Sequence, residues 1–374
     1  MSQPLDPGAA YRRIADNVQQ VIQGKPDVVR LAVVALFAGG HVLLEDVPGL
    51  GKTSLAHSIA RSIGGTWHRI QFTPDLLPGD VTGSTVYLQA EGRFQFIQGP
   101  VFANIVLADE VNRGTPKTQS ALLEVMAEGR VTADGTARPV PHPFLVVATQ
   151  NPIELEGTYR LPEAQLDRFL MRLSVGYPDH DAELRVVMQD AQGTTPEQLQ
   201  PVIDTGTLQG VIANVRRTYV DPQVGSYAIR LAAATRDHPA TRYGASPRGS
   251  IGLVRAARAL AATESRAFVS PDDVKTVAHA VLAHRIVLTP DAELNRYTSD
   301  QVVREVLDTV APPGIATGAY AQVTPAAAGS YGAAVTHVPG APYGAPSTHV
   351  PAGHYGAPPT QPPGGGASTV VPPR

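Results

Sequence analysis

The chain has 374 residues, with 30 Lys or Arg against 33 Asp or Glu and a formal charge of −3 at pH 7. That balance argues against a protein built to coat nucleic acid or anionic lipid. The absence of cysteine excludes disulfides, thiolate metal sites and cysteine nucleophiles. Apolar residues make up 43%, enough for a sizeable core, and the length suits two domains of about 150 residues each. The N-terminal stretch holds Asp6, Arg12 and Arg13 with no apolar leader run. The best apolar run, 31–38, is far short of the roughly 20 residues that a bilayer needs. A soluble, cytoplasmic protein is expected.

In chain order, residues 11–38 read as two helices broken at Gly24-Lys25-Pro26, the second running from about Asp27 to Gly39-Gly40. A short strand at 41–44, a Gly/Pro loop and a helix at about 52–63 follow, then apolar strands at 67–72, 105–108 and 144–149. Strands alternating with helices predict an α/β domain with a mainly parallel sheet. Two stretches interrupt the alternation: 84–98 alternates around Ala90-Glu91-Gly92, and 130–143 turns at Asp134-Gly135. Both read as hairpins inserted into the core. From Tyr177-Pro178 the pattern is helical without convincing strands; Leu184, Val187 and Met188 keep helical spacing, as do Leu253, Val254, Ala257 and Leu260. Ser270-Pro271-Asp272-Asp273 carries a cap, a first-turn proline and acids at the dipole's positive end. The expected division is an α/β nucleotide-binding domain at 1–176, a helical domain at 177–311 and a disordered tail at 312–374. Thirteen of the 34 prolines fall in that tail, whose only charged residue is Arg374.

The residues that carry chemistry begin with Gly49-Leu50-Gly51-Lys52-Thr53, which ends the phosphate-loop pattern G-x-x-x-x-G-K-[ST]. The loop as a whole is Asp46, Val47, Pro48, Gly49, Leu50, Gly51, Lys52, Thr53 and Ser54, with Asp46 where the pattern has its first glycine. Glycines let backbone N–H groups close on phosphate oxygens at a helix start. Lys52 is expected to reach the β and γ phosphates of ATP, Thr53 to hold Mg²⁺, and Asp46 to add negative charge near the phosphates. Ile105-Val106-Leu107-Ala108-Asp109-Glu110 is an apolar strand ending in two acids, expected beside the loop. Asp109 would orient Mg²⁺ through water and Glu110 would polarise the attacking water. Asn151, after the next strand, reads either as a partner of that water or the γ-phosphate, or as an Asx turn before proline. Arg168 reads as a surface charge or a partner of Asp167. Arg248, in the first turn of a later helix, reads as an anion ligand or as another surface charge. His279 and His284, five apart, lack the spacing of paired ligands on one helix face.

The chain resembles the MoxR-type AAA+ ATPases over about residues 11–310. The resemblance rests on His41-Val42-Leu43-Leu44-Glu45 with the loop, Gln71-Phe72-Thr73-Pro74-Asp75-Leu76-Leu77-Pro78, Ala108-Asp109-Glu110-Val111-Asn112-Arg113, Gln119-Ser120-Ala121-Leu122-Leu123-Glu124, Ala148-Thr149-Gln150-Asn151-Pro152, the segment 161–169 and Gly244-Ala245-Ser246-Pro247-Arg248. It implies a P-loop AAA+ core with one hairpin in helix 2 and another before sensor 1, followed by an all-α lid. It also implies Asn151 as sensor 1, Arg168 as an arginine finger offered to a neighbouring subunit, and Arg248 as sensor 2. Such ATPases form rings, usually hexamers, associated with chaperone-like maturation of protein complexes, including metal-cofactor insertion. A partner with a von Willebrand factor A domain would be a separate chain.

Two other functions fit the sequence less well than a protein remodeller. A nucleic-acid motor or loader would need basic hairpins, but these hold only Arg93, Arg130 and Arg138, balanced by Glu91 and Asp134. A nucleotide-gated adaptor would need a defect at Glu110 or Arg168, and both residues are present.

Overall fold

The computed structural model describes residues 5–47, 49–151, 158–191, 193 and 195–314. They belong to one compact unit, Met1–Gly329. The expected tail from 315 onward lies outside the described residues.

Helix α1 (Pro7–Gln19) is started by the Asp6 carboxylate, which accepts from the Ala9 N–H, and α2 (Pro26–Phe37) begins with Pro26-Asp27. Strand β1 (Val42–Glu45) leads into the phosphate loop and α3 (Lys52–Ser62). Then come β2 (Trp67–Gln71), α4 (Pro78–Thr82), the hairpin β3 (Gly83–Leu88) and β4 (Arg93–Gln98), and β5 (Ile105–Asp109). Helix α5 (Pro116–Glu128) is followed by the second hairpin, β6 (Arg130–Ala133) and β7 (Thr136–Pro139). Strand β8 (Leu145–Gln150), the short α6 (Glu163–Leu166) and β9 (Met171–Leu173) complete the sheet region.

The five-stranded sheet has the order β2-β5-β8-β1-β9, and every pairing is parallel. Both faces are covered, so successive residues serve different cores. Val42 and Leu44 pack with α1, α2, α3 and the later helices, while Leu43, Val106 and Val146 pack with Leu122 and Met126 of α5. Leu43 and Leu44 are wholly buried, each stabilising the fold by about 1.5–3 kcal/mol. Gly40 permits the close entry into β1: a Cβ there would stand 2.4 Å from Leu170.

The remainder is mostly helical: α7 (His180–Ala191), α8 (Thr205–Val215), α9 (Pro222–Asp237), β10 (Thr241–Tyr243), α10 (Pro247–Thr263), α11 (Pro271–Leu282), β11 (Val287–Leu288), α12 (Pro290–Leu294) and α13 (Ser299–Thr309). The Ser270 cap is completed by Asp273 in a reciprocal capping box. Among the described residues, no helix is long and apolar enough to cross a membrane.

Several expectations need correction. Strand β8 lies between β1 and β5, so the strands that carry the loop and the two acids are two spacings, about 10 Å, apart rather than adjacent. Strand β9 was not foreseen, because Met171-Arg172-Leu173 is too short to show a period. The helical region contains the antiparallel pair β10–β11. Strand β2 is a sheet edge on which only Ile70 is buried, so it is largely polar. The helical stripe Leu184, Val187 and Met188 faces outward, 53–59% exposed, and only Ala182 of α7 is buried.

Candidate nucleotide site

The carboxyl ends of β5, β8 and β1 lie side by side at one edge of the sheet, where open parallel sheets bind ligands. The loop after β1 bends through Gly49 (φ 87°) and Gly51 (φ 79°), both in the left-handed region that glycine adopts without strain. A Cβ at Gly49 would meet nothing within 4 Å. Pro48 lies outside the described residues. Lys52 opens α3 and donates from Nζ to the Asp46 carbonyl at 2.7 Å and the Val47 carbonyl at 3.3 Å. Burial lowers the Lys52 pKa, opposed by the carboxylates of Asp46, Asp109 and Glu110. Thr53 and Ser54, half-buried, complete the first turn.

The Asp46 charge is engaged within the fold. Its carboxylate is buried and points to the segment after β9, accepting from Ser174 Oγ (2.7 Å), Val175 N–H (2.6 Å) and Gly176 N–H (3.2 Å). Three donors therefore hold the charge that was expected to oppose phosphate.

Asp109 ends β5. Its Oδ1 accepts from Thr149 Oγ1 at 2.5 Å, and its Oδ2 accepts from Arg69 Nε and Nη2 at 3.1 and 2.6 Å. Glu110 has a left-handed backbone, φ 54° and ψ 49°. Its N–H donates to Thr149 Oγ1, and its Oε2 accepts from Gln71 Nε2 at 3.0 Å and Arg113 Nη1 at 3.1 Å. Asn151 follows β8, is buried, and offers its carbonyl to Asn112 Nδ2 at 3.5 Å. The contacts of Arg69 and Gln71 with the two acids were not anticipated; the alternation of these residues with Ile70 on an edge strand was the available signal. Among the described residues, no three His, Asp or Glu side chains cluster to hold a metal ion. Asp300 stands 3.8 Å from His279, a pair that belongs to no such cluster.

Arg168 and Arg248 lie at the other end of the sheet. They share a cleft of about 340 Å³ with His41, Asp167, Arg255 and Arg285, at the start of β1. The four residues of β1 alone separate this cleft from the loop by about 13 Å. Arg168 is exposed and donates from Nη1 to the Leu123 carbonyl at 3.0 Å. Asp167 collects the surroundings: Arg285 Nε at 2.9 Å, Ser246 Oγ at 2.9 Å and Arg248 Nη1 at 3.8 Å. Asp167 thus ties the start of α10 to the turn carrying Arg168. His41 underlies the cleft, its Nδ1 accepting from Val146 N–H and its Nε2 lying 3.0 Å from the Met126 carbonyl, which fixes the tautomer. Burial pushes its pKa down to about 4.

Comparison with known proteins agrees with this layout. Residues 41–171 match the ATPase family associated with various cellular activities (AAA), and residues 233–306 match the AAA lid domain. The chain is 47% identical to the uncharacterised protein YeaC of Bacillus subtilis, over 80% of this chain and 94% of that one. It is 44% identical to the chaperone MoxR1 of Mycobacterium tuberculosis, over 80% and 81%. The crystal structure of a candidate ATPase from Cytophaga hutchinsonii superposes with a TM-score of 0.77 at 39% identity, covering 82% of this chain and 96% of that one. Identities of 47% and 44% over four-fifths of its length, together with the matches to the AAA ATPase family and its lid, make this chain a member of the MoxR-type AAA+ ATPases.

Proposed function

We propose that the chain binds ATP with Mg²⁺, hydrolyses it as a subunit of a ring, and spends the cycle on chaperone-like remodelling or maturation of a protein complex in the cytoplasm. A hexamer, a separate von Willebrand factor A domain partner and metal-cofactor insertion into the client follow the family's pattern. In this reading residues 1–176 hold the nucleotide and 177–311 form the lid. The observation that carries it is the sharing of one sheet edge by loop 46–54, Asp109-Glu110 and Asn151.

The residues present fit the nucleotide and its metal. Lys52 rests on carbonyls of its own loop, which phosphate oxygens can replace, and the open space at Gly49 lets backbone approach a ligand closely. Thr53 and Asp109 would hold Mg²⁺, the latter through water; when bound, the ion neutralises charge on the phosphates. Glu110 would accept a proton from the attacking water, with Gln71 and Arg113 fixing its carboxylate. Asn151 would orient that water or the γ-phosphate. Arg168 and Arg248, remote from their own loop and joined through Asp167, would act on the nucleotide of a neighbouring subunit.

The nucleic-acid motor is disfavoured by the hairpins. Arg93 pairs with Glu91, Arg130 with Glu128, and Arg138 lies 4.1 Å over the Phe96 ring, so each hairpin arginine already has a partner.

Titration calorimetry tests the site. Lys52→Ala should lose ATP binding, while Glu110→Gln should bind ATP and stop turning it over. Equal ATP affinity of wild type and Lys52→Ala would refute the assignment. ATP-dependent capture of a defined protein complex by Glu110→Gln tests the remodelling role.

A further inference from the structure

The Asp46 carboxylate points away from the loop's glycines, and Asp46 is one of two buried acids among the described residues. Three regions meet at this residue. Its N–H reaches the Gln150 carbonyl of β8 at 3.4 Å, beside Asn151. Its carbonyl receives Lys52 Nζ. Its side chain receives the Ser174 hydroxyl and the Val175 and Gly176 N–H groups. That last segment leads directly to α7, the first helix of the helical half. There Lys25 Nζ holds the Tyr177 carbonyl at 2.7 Å, Asp179 Oδ1 caps the Ala182 N–H at 2.7 Å, and Ala182 packs against Gly24.

We infer that Asp46 is a positioning residue that joins the phosphate loop to segment 174–176, so that the place of Lys52 and the placement of α7 are set together. The inference rests on the nucleotide reading of the loop. The physical argument concerns one ammonium with two sets of acceptors. Lys52 donates to the carbonyls of Asp46 and Val47. Phosphate oxygens compete for the same three N–H donors of Lys52, and its departure frees the peptide units at 46–47 to rotate. A carboxylate bonded to two backbone N–H groups and a hydroxyl cannot follow that rotation without dragging the donors or breaking charge-assisted bonds. A glycine at the same place would let the loop move alone. Asp46 does not have the positive φ that would demand glycine, so the side chain is available for this role.

The test is amide hydrogen exchange on the full chain, with and without ATP in a Glu110→Gln background, comparing Asp46 with Asp46→Gly. In the reference protein, ATP should change exchange across 174–191. In Asp46→Gly, Val175 and Gly176 should exchange about tenfold faster or more. ATP should still bind within about threefold of the reference, but the response across 174–191 should vanish. With Glu110 intact, kcat should fall more than KM rises. A purely structural Asp46 predicts faster exchange with the ATP response retained, and that result overturns the inference. So does bound ATP that leaves 174–191 of the reference protein unchanged, whereas failure of the reference to bind ATP defeats the nucleotide reading instead. Ser174→Ala, which removes one of the three donors while leaving the loop untouched, should show the same loss at smaller amplitude and carries the test if Asp46→Gly does not fold.

Discussion

Asp167→Ala should destabilise the fold by about 3–5 kcal/mol, the usual consequence of stranding one member of a buried ion pair. The Arg285 side chain is 3% exposed and Asp167 is 16% exposed. Arg285 also donates to the carbonyls of Phe169 at 2.6 Å and Leu170 at 3.3 Å, so its N–H groups would keep acceptors after the substitution. Its charge would have no counter-ion at Asp167, and burial already lowers its pKa against the opposing pull of that carboxylate. Losing the bond from Ser246 Oγ adds about 1 kcal/mol. Asp167→Asn, which keeps an acceptor but not the charge, should cost roughly half as much. Replacing both partners, Asp167→Ala with Arg285→Met, should recover most of the loss because an apolar pair leaves nothing stranded. Urea unfolding followed by circular dichroism measures all four proteins. A loss below about 1 kcal/mol for Asp167→Ala, or a double variant no more stable than the single one, would refute the argument. In the isolated subunit ATP affinity should be unchanged in Asp167→Asn, since the cleft and that subunit's own loop lie at opposite ends of β1.

If Arg168 serves a neighbouring subunit, ATPase activity per subunit should rise with protein concentration. Mixing Arg168→Ala with Glu110→Gln should restore part of the activity that each lacks; mixed oligomers that stay inactive would sink the trans assignment. The second expectation concerns acid. His41 titrates at about 4 when folded against 6.5 in the unfolded chain, so its contribution is complete above pH 6.5 and is lost as pH falls toward 4. Linkage puts the loss from His41 alone at about 2 kcal/mol between pH 7 and pH 5. His284, held low first by burial and then by Arg285, adds to the same slope. His41→Gln keeps one acceptor and one donor and should flatten the decline by about that amount in denaturant titrations at the two pH values; an unchanged slope would show that His41 titrates normally.

The glycine turn after β1, the acids after β5 and both hairpins were legible because each is a local pattern: glycines at fixed spacing, an apolar run ending in carboxylates, a turn between alternating residues. Strand order was not, since β8 enters between β1 and β5 through pairings that no local window contains. The partners of Asp46 were hidden for the same reason: its three donors come from about 130 residues downstream. The outward turn of Leu184, Val187 and Met188 shows the limit of periodicity, which finds a helix and its stripe without saying which way the stripe faces. Asp167 emerged as an organising residue only once the turn after α6 and the start of α10 were seen together.

The left-handed backbone at Glu110 has a consequence for how such a chain can change over generations. A non-glycine residue in that conformation costs on the order of 1–2 kcal/mol. Glycine at 110 would relieve the strain and abolish the carboxylate in a single step. Random libraries screened for heat resistance alone should therefore accumulate Gly or Asn at this position, and libraries screened for turnover should refuse them. The same codon is then pulled in opposite directions by two selections, one for stability and one for turnover.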